Sequence, residues 1–435
     1  MIFKTKISKI HKNIFVKTVS FILATVILSL SALGCQQQSG NENVGDQNLI
    51  EQYKCLTDGI TAKPVAERKV DGDFRRALSD FASEMMMLSV HGTENIALSP
   101  TAIMSSLLLI ANGASSAAQS EIVALFGGKI SASQFNEYMA TYLTMLEREN
   151  NCALSSSFWV NKGESSFTPK SSFLQLNANY YMADGYCFNG ANVDTTALIN
   201  KWLTNESGLI DVYIPSESPV MVQSLATVSG FSGGMKWKSS FYAVKEGTFY
   251  TPYGEKAVNY MYSEESVLIN LGTATGFVKE LEGGLKVVAL LPKEDVKLSV
   301  VLTMIDVMGI SDILKYAVPD QSVTVRIPEF SYRAVTDCTD LLKKCGLKRT
   351  VSSEYNSFDG LGTGASLYLS NVLNAVSISF GAEGIVSGSP AQAAGTSDGE
   401  IVLPETVDLD YNRPFIYIVY DADSVPMYFG NVVRP

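Results

Sequence analysis

Histidine is scarce in this sequence, which restricts the enzyme chemistry it can support. The chain has two histidines, and His91 alone lies outside the N-terminal apolar region. A Ser-His-Asp or Cys-His enzyme would need His91 as its general base. The surrounding stretch SVHGTEN is typical of a surface loop, and no P-loop or strand-linked GxGxxG motif occurs. We therefore expect a protein that is not an enzyme.

The spacing of cysteines and acids does not predict a metal site. None of the six cysteines has CxxC spacing, so neither zinc nor a thioredoxin-like motif is supported. Cys338 and Cys345 lie two turns apart in a helical pattern and cannot easily bond to each other. The sequence does not exclude one disulfide between other cysteines. The acidic stretch DLDYN at 408–412 could hold a cation, but its alternation more simply indicates the solvent face of a strand. We expect no metal and no cofactor.

One long stretch near the C-terminus lacks anchoring side chains. Between Gly384 and Asn412 there is no Lys, Arg, Trp, Phe or His, and small residues dominate as far as Ser397. Such a tract buries too little apolar surface to fix itself, so it should form an exposed loop. A linker would have the same composition, but only about twenty residues of strand-like sequence follow Asn412.

The elements around this loop change character along the chain. Helical periodicity and capping residues predict helices over 71–90, from Ser99 to Gly113, over 116–126 and over 194–205. From about Val220, strand-like segments dominate, interrupted by a helix at 336–345. Helices come first and strands second, without βαβ alternation, so the fold class should be α+β. No internal repeat or linker interrupts residues 69–435, which favours one large domain.

The N-terminus predicts export. Residues 1–34 contain five lysines, no acid, a short apolar run and small residues before Cys35, as in a secretory signal. The tetrapeptide 32–35 resembles a bacterial lipoprotein processing box, and a polar tether follows it; a transmembrane anchor is the alternative. We predict a signal peptide at 1–34, lipidation at Cys35, a tether and extension at 35–68, and attachment to the bacterial cell envelope.

The net charge of −11 argues against nucleic-acid binding.

Seven segments carry a resemblance to known motifs, in order, from about residue 74 to Pro435. They are NIALSP (95–100), INKWLTNESGLI (199–210), MKWKSSF (235–241), ALLPKE (289–294), IPEFSY (327–332), LLKKCGLKRTVSSEYNSFDGL (341–361) and the closing NRPFIYIVYDADSVPMYFGNVVRP. Each is similar to a motif of the serpin family, the large serine and cysteine protease inhibitors; NIALSP, for example, resembles NIFxSP. Any one match is weak, but the ordered set resembles a serpin over most of the chain.

This resemblance implies a fold and a mechanism. The expected fold is one α+β domain at 69–435 with three β-sheets, about eight or nine helices and an exposed reactive loop at about 383–407. In the family, a target protease cleaves that loop and is trapped as a covalent acyl-enzyme when the loop inserts as a new strand in the central sheet. The expected function is therefore protease inhibition, with a target protease as the partner. We expect a monomer.

The resemblance also places the hinge from which the loop would insert. Its residues are Glu383, Gly384, Ile385, Val386, Ser387 and Gly388. In an inserting strand every second residue shares a face, so Ile385 is followed on its face by small residues only. Ile385 and Val386 are bulkier than the family's usual Thr and acid. Pro390 lacks the amide hydrogen that a central strand uses.

A second departure from the family's pattern concerns the region beneath the central sheet, which in the family opens to accept the loop. There, the family's polar positions fall on Ala102, Ser229 and Leu373, and only Ser99 and Ser229 keep a hydroxyl. We therefore expect packing to replace most of the family's hydrogen-bond network at this point.

The cleavage site follows from counting along the loop. The predicted window consists of Asp398, Gly399, Glu400, Ile401, Val402 and Leu403. Counting forward from the hinge places the scissile bond near Asp398–Gly399, whereas counting back from Arg413 places it between Glu400 and Pro404. No basic residue is available for a trypsin-like pocket. Elastase-, subtilisin- or chymotrypsin-like serine proteases or cysteine proteases are the expected targets, and acid-specific enzymes stay open.

A non-inhibitory serpin is the alternative. In that case the scaffold would be a binding or structural surface module whose loop is only a substrate, as the departures at Ile385, Val386 and Pro390 allow.

Overall fold

A computed structural model describes residues 53–150, 152–209, 211–386 and 406–435. Within these residues there are eight α-helices: α1 Gly72–Ser89, α2 Pro100–Ala111, α3 Ser116–Ala124, α4 Ala132–Asn150, α5 Ser171–Tyr181, α6 Thr195–Asn205, α7 Leu298–Met308 and α8 Thr339–Cys345. None of the described helices has the length and apolar composition that a membrane crossing requires.

Twenty strands complete the described fold. They are β1 Tyr53–Cys55, β2 Ile96–Leu98, β3 Cys152–Asn161, β4 Thr168–Pro169, β5 Asp184–Phe188, β6 Leu225–Lys236, β7 Ala243–Thr251, β8 Gly254–Glu265, β9 Leu268–Asn270, β10 Ala274–Glu280, β11 Lys286–Pro292, β12 Ala317–Val318, β13 Val323–Pro328, β14 Phe330–Asp337, β15 Gly362–Thr363, β16 Leu369–Gly381, β17 Gly384–Val386, β18 Val407–Asp410, β19 Phe415–Tyr420 and β20 Pro426–Val432.

Three large sheets organise these strands. The central sheet has the order β1-β5-β3-β6-β17-β16-β14, the second sheet β12-β9-β10-β11-β19-β20-β2, and the third sheet β18-β13-β8-β7. β15 and β4 form a separate small pair. The predicted α+β class and three-sheet architecture are therefore confirmed.

Local sequence explains where the predicted helices begin. The Asp71 carboxylate accepts hydrogen bonds from the backbone N–H groups of Asp73 and Phe74 and so caps α1. The Ser99 hydroxyl caps α2 in the same way, with Pro100 at its first position.

The sequence patterns did not single out α4, α5 or α7 as helices. α5 and α7 lack a side-chain cap. α4 does begin with a capping box, in which the side chains of Ser131 and Gln134 each accept from the other's backbone N–H, so its signal was present and was missed.

The hydrophobic core has two parts. The larger part packs α1 and α2 between the central and second sheets. The smaller part lies on the other face of the central sheet, where α6 covers it. Because β6 and β16 lie in the middle of the central sheet, their side chains enter both parts in alternation. Any new strand placed between β6 and β16 would therefore be buried on both faces.

Two further predictions can be compared with the structure. His91 is exposed between α1 and β2, as expected for a loop residue. The stretch at 408–412 contains the end of β18, and Asp410 forms an ion pair with Arg326, which agrees with a strand rather than a cation site. The signal peptide and Cys35 lie outside the described residues, so the N-terminal assignments stay predictions. The start of the domain at 69 stays a prediction as well, and the described fold already includes β1, which pairs with β5 in the central sheet.

Candidate functional site

The predicted hinge begins as a short strand in the middle of the central sheet. β17 runs antiparallel to both neighbours: Gly384, Ile385 and Val386 pair with Gly381, Phe380 and Ser379 of β16 on one side. On the other side, the same residues pair with Lys236, Met235 and Gly234 of β6. The structure thus places the hinge residues from Glu383 to Val386. Ser387, Gly388 and the whole cleavage window lie outside the described residues.

Beyond this strand, β6 and β16 pair directly with each other. Their pairing is parallel and runs from Leu225 opposite Leu369 to Phe231 opposite Val376. After these residues the two strands separate, and β17 occupies the gap. We call the line between β6 and β16 the slot; it is filled by β17 at one end and closed along the rest. A strand that continued from β17 would have to separate the remaining β6–β16 pairs.

The bulky residue at the start of the hinge is accommodated. Ile385 is only 1% exposed and belongs to the larger core. Gly384 is needed for a different reason: a Cβ there would lie 2.3 Å from the Met235 carbonyl oxygen. The β-branched side chain at 385 is therefore no obstacle to the first step of insertion, which corrects that part of the expected weakness. Val386 is half-buried.

A turn at residues 381–383, the hinge turn, connects β16 to β17 and is held by hydrogen bonds. The Trp237 indole Nε1 donates to the Gly381 carbonyl at 2.8 Å, and the Trp237 backbone N–H donates to the Glu383 carbonyl at 3.1 Å. The Phe241 backbone N–H donates to the Ala382 carbonyl at 3.1 Å. All three carbonyls of the hinge turn thus have donors from the segment 237–241, which we call the clamp.

A buried polar cluster lies on the α2 side of the closed slot. Asn374 Oδ1 accepts from the Ser99 backbone N–H at 3.0 Å, and its Nδ2 lies 3.5 Å from the Ser229 hydroxyl. The Ser99 hydroxyl donates to the Met427 carbonyl at 2.9 Å. The expectation that packing would replace this network is therefore wrong, because Asn374 supplies an amide one residue away from the position that the resemblance assigned to Leu373.

The opposite face of the slot is covered by α6 and the segment after it. Leu209 is buried against Gly230 of β6, where a Cβ would lie 2.3 Å from the leucine side chain. α6 is attached to the sheet by the Trp202 indole, which donates to Asp184 Oδ2 at 2.9 Å. Burial raises the pKa of the Asp184 carboxyl. A strand entering the slot would meet Leu209, so this cover would have to move.

The far end of the loop is fixed to the third sheet. β18 pairs in parallel with β13 over four residues. Arg326 reinforces this edge: its Nη1 lies 2.5 Å from Asp410 Oδ1, and its Nε donates to the Tyr262 hydroxyl at 3.1 Å. Its guanidinium carbon also lies 3.5 Å from the centre of the Tyr260 ring. The loop therefore connects a seated strand in one sheet with a reinforced edge strand in another.

Sequence reasoning found part of this site. Trp237 stood inside the matched segment MKWKSSF, but its role in holding the hinge turn depends on contacts that sequence does not show. Asn374 was missed because the resemblance assigned the family's polar position to its neighbour Leu373. Arg326 carried no motif. Strict alternation along β16 would have been the one available signal for Asn374, since a shift of one residue changes the face.

Comparison with known proteins agrees with this geometry. A family model described as serpin (serine protease inhibitor) matches residues 76–435. Mouse neuroserpin (Mus musculus) is 23% identical over 363 residues, which cover 79% of this chain and 86% of that protein. The native state of tengpin, a thermophilic serpin, is 27% identical, with a TM-score of 0.78 over 88% of this chain and 100% of that chain. The latent state of tengpin gives a TM-score of 0.69 over 84% of this chain and 99% of that chain.

Proposed function

Because this chain belongs to the serpin family, a family of protease inhibitors and not of enzymes, we propose that it inhibits a protease by trapping it on the cleaved reactive loop. The observation that carries this proposal is β17: the hinge is already seated between β6 and β16, while the rest of the slot is closed. Such a sheet can accept more of the loop once cleavage frees one end.

The chemistry is supplied by the target protease. Its serine or cysteine nucleophile attacks the scissile carbonyl, the peptide bond breaks, and the new amine leaves with the C-terminal part of the loop. The N-terminal part stays joined to the protease as an acyl-enzyme. Insertion then carries the protease away from the position of cleavage, and inhibition results if this movement precedes hydrolysis of the acyl bond.

The register of β17 supports a particular length for the inserting arm. Continued along the same register, residue 390 would fall between Ala375 and Gly230, which now pair with each other. By the same count, residue 395 would reach Leu225, the first residue of β6. The arm would thus consist of residues 387–395. Cleavage a few residues after the end of this arm would fall at Asp398–Gly399, which favours this bond over the positions between Glu400 and Pro404.

The loop sequence supports a class of target. No lysine or arginine lies between Gly384 and Asn412, so the S1 pocket of a trypsin-like protease has no basic side chain to bind. We propose elastase-, subtilisin- or chymotrypsin-like serine proteases, or cysteine proteases, as targets. Proteases that cleave after Asp398 or Glu400 are a further class to include in the test.

A panel of proteases tests the proposal. The purified chain is mixed with one protease of each class, and products are separated under denaturing conditions. We expect a covalent complex with at least one non-tryptic protease, together with a released C-terminal fragment whose mass identifies the scissile bond. Clean cleavage by every protease, without a complex, would support the non-inhibitory module instead, for which Val386 and Pro390 are the remaining sequence arguments.

The N-terminal sequence supports a location. Cys35 follows a signal-like segment and precedes a polar tether, so we propose a lipid-anchored protein exported to the bacterial cell envelope, at the outer membrane or cell surface. In bacteria expressing the full chain, a labelled fatty acid should be incorporated and lost in Cys35→Ser. Cys345→Ser is the matched control that should keep the label. Equal labelling of Cys35→Ser and the unchanged chain would contradict the anchor.

A further inference from the structure

A buried ion pair lies next to the clamp. Lys279, in β10, has a side chain that is only 3% exposed. Its Nζ lies 2.5 Å from Oε1 of Glu265, the last residue of β8, whose side chain is 12% exposed. Charged side chains are seldom buried to this extent, because both lose their hydration on folding. An apolar residue at 279 would fill the site without that penalty.

The ammonium group of Lys279 faces the two aromatic rings of the clamp. It lies 4.4 Å from the centre of the Phe241 ring and 5.6 Å from the centre of the Trp237 ring. The rings meet edge to face at 5.6 Å. A desolvated cation at such distances is attracted by the electron-rich faces of both rings. Lys279 therefore fixes the position of the rings relative to β10.

These rings belong to the residues whose N–H groups hold the hinge turn. Trp237 donates to the carbonyls of Gly381 and Glu383, and Phe241 donates to that of Ala382. Trp237 also packs against Phe380, the β16 residue opposite Ile385, with ring centres 5.0 Å apart. A displacement of the rings would move the turn and, with it, the first pairs of β17.

We propose that Lys279 is a positioning residue for loop insertion. Glu265 holds the Lys279 side chain in place, and the Lys279 cation fixes the two clamp rings. Through these rings, Lys279 sets the register at which the loop enters the slot. Its effect on trapping rests on the proposed function. Its effect on the hinge does not, because the position of the hinge can be measured in the uncleaved chain without a protease.

Hydrogen exchange on the full chain tests the hinge directly. The double variant Lys279→Met with Glu265→Leu removes both charges, so that neither is left buried alone. We expect the amides of residues 383–386 and 241 to exchange about fivefold faster or more than in the unchanged chain. The control is Lys315→Met with Asp312→Leu, which removes an exposed ion pair outside the clamp. The control should leave those amides unchanged.

A charge exchange separates the cation from the ion pair. Lys279→Glu with Glu265→Lys keeps opposite charges together but places a carboxylate beside the rings. Faster hinge exchange in this variant supports the proposal, and unchanged exchange would overturn it by showing that pairing alone is sufficient. Lys279→Arg keeps a cation near the rings and should retain slow exchange. Faster exchange in Lys279→Arg would likewise overturn it, and this variant still provides a test if the double variant does not fold.

The same variants then test the consequence for trapping. With a protease that forms a complex, the Met–Leu variant should give about fivefold more cleaved, untrapped chain per complex, because a misplaced hinge slows insertion while acyl hydrolysis is unchanged. An unchanged ratio together with a mobile hinge would overturn the mechanistic part. If no protease forms a complex with the unchanged chain, the proposed function fails, but hydrogen exchange still decides the role of Lys279.

Discussion

Asn374 and Leu373 are neighbours in β16, yet their side chains lie on opposite faces of the central sheet. Asn374 joins Ser99 and Ser229 on the α2 side, whereas Leu373 packs in the smaller core under α6. Assigning the family's polar position to the wrong one of these two neighbours therefore predicts packing where the structure has a polar cluster. The error is small in sequence, but it reverses the chemical character predicted for the closed slot.

Asp421 is the residue for which the structure predicts a pH effect. It is fully buried in the turn between β19 and β20, where it accepts hydrogen bonds from the Tyr142 hydroxyl and the Val425 backbone N–H. Burial raises the pKa of its carboxyl to about 6. The folded chain therefore binds this proton more tightly than the unfolded chain, whose aspartate has a pKa of about 3.9.

We expect stability to fall as the pH rises through this range. Between about pH 4 and pH 6 the folded state loses the favourable protonated form, which lowers the free energy of unfolding by about 3 kcal/mol at most. Asp421→Asn, which stays neutral, should remove this slope in denaturant unfolding across the pH series. Asp359→Asn changes an exposed acid that does not contribute to the raised pKa of Asp421 and should keep this slope. The same slope in Asp421→Asn and the unchanged chain would contradict the assignment.

At the scale of elements, the inserting arm is limited by one residue. In the extended register, residue 390 would lie in a central strand, where proline leaves a carbonyl of a neighbouring strand without its donor. This costs on the order of 1 kcal/mol. Pro390→Ala should therefore speed insertion and decrease the untrapped product per complex, by up to about fivefold.

The product ratio on a denaturing gel measures this effect. Pro404→Ala makes the same substitution beyond the inserting arm and should leave the ratio unchanged. If Pro390→Ala shows the same ratio as the unchanged chain, residue 390 does not enter the sheet before the outcome is decided.

The other anchored element is β18, at the far end of the loop. The loop is held at one end by β17 in the central sheet and at the other end by β18 in the third sheet. An uncleaved loop could therefore enter the slot completely only if β18 left the third sheet. Arg326→Met removes the ion pair to Asp410 and the contact with the Tyr260 ring. We expect loss of inhibitory activity on warming, without cleavage, to become about fivefold faster or more.

Activity and mass measured during incubation test this prediction. Lys245→Met is the control, because Lys245 lies on the same sheet over the Tyr262 ring but has no ion pair with β18. Equal rates in Arg326→Met and the unchanged chain would show that the backbone pairing of β18 is sufficient by itself.

At the scale of the molecule, the closed slot predicts that cleavage stabilises the protein. An inserted arm of residues 387–395 would form backbone hydrogen bonds with β6 and β16, each contributing roughly 1 kcal/mol. Cleavage in the predicted window should therefore raise the thermal midpoint by about 10 °C or more. Calorimetry of cleaved and intact protein measures this rise.

The control for this measurement is the intact chain incubated with the inactivated protease, which should keep the midpoint of the intact protein. Equal midpoints after loop cleavage would mean that the arm does not insert, and the chain would then act as a non-inhibitory module.

The amino-acid sequence by itself determined the α+β class, the capped starts of α1 and α2, and the unanchored loop near the C-terminus. It could do so because caps, periodicity and the absence of large side chains are local properties. The ordered motifs determined the family for the same reason, since each motif is contiguous.

Tertiary structure alone decided how the loop is attached. Whether Ile385 blocks or fills the sheet depends on Met235 and Phe380, which are distant in sequence, and Lys279 meets the clamp only through the packing of β10. Which face Asn374 occupies depends on the register of β16 against β6. These properties arise from long-range pairing, in which one residue of register changes every contact, so no local pattern could predict them.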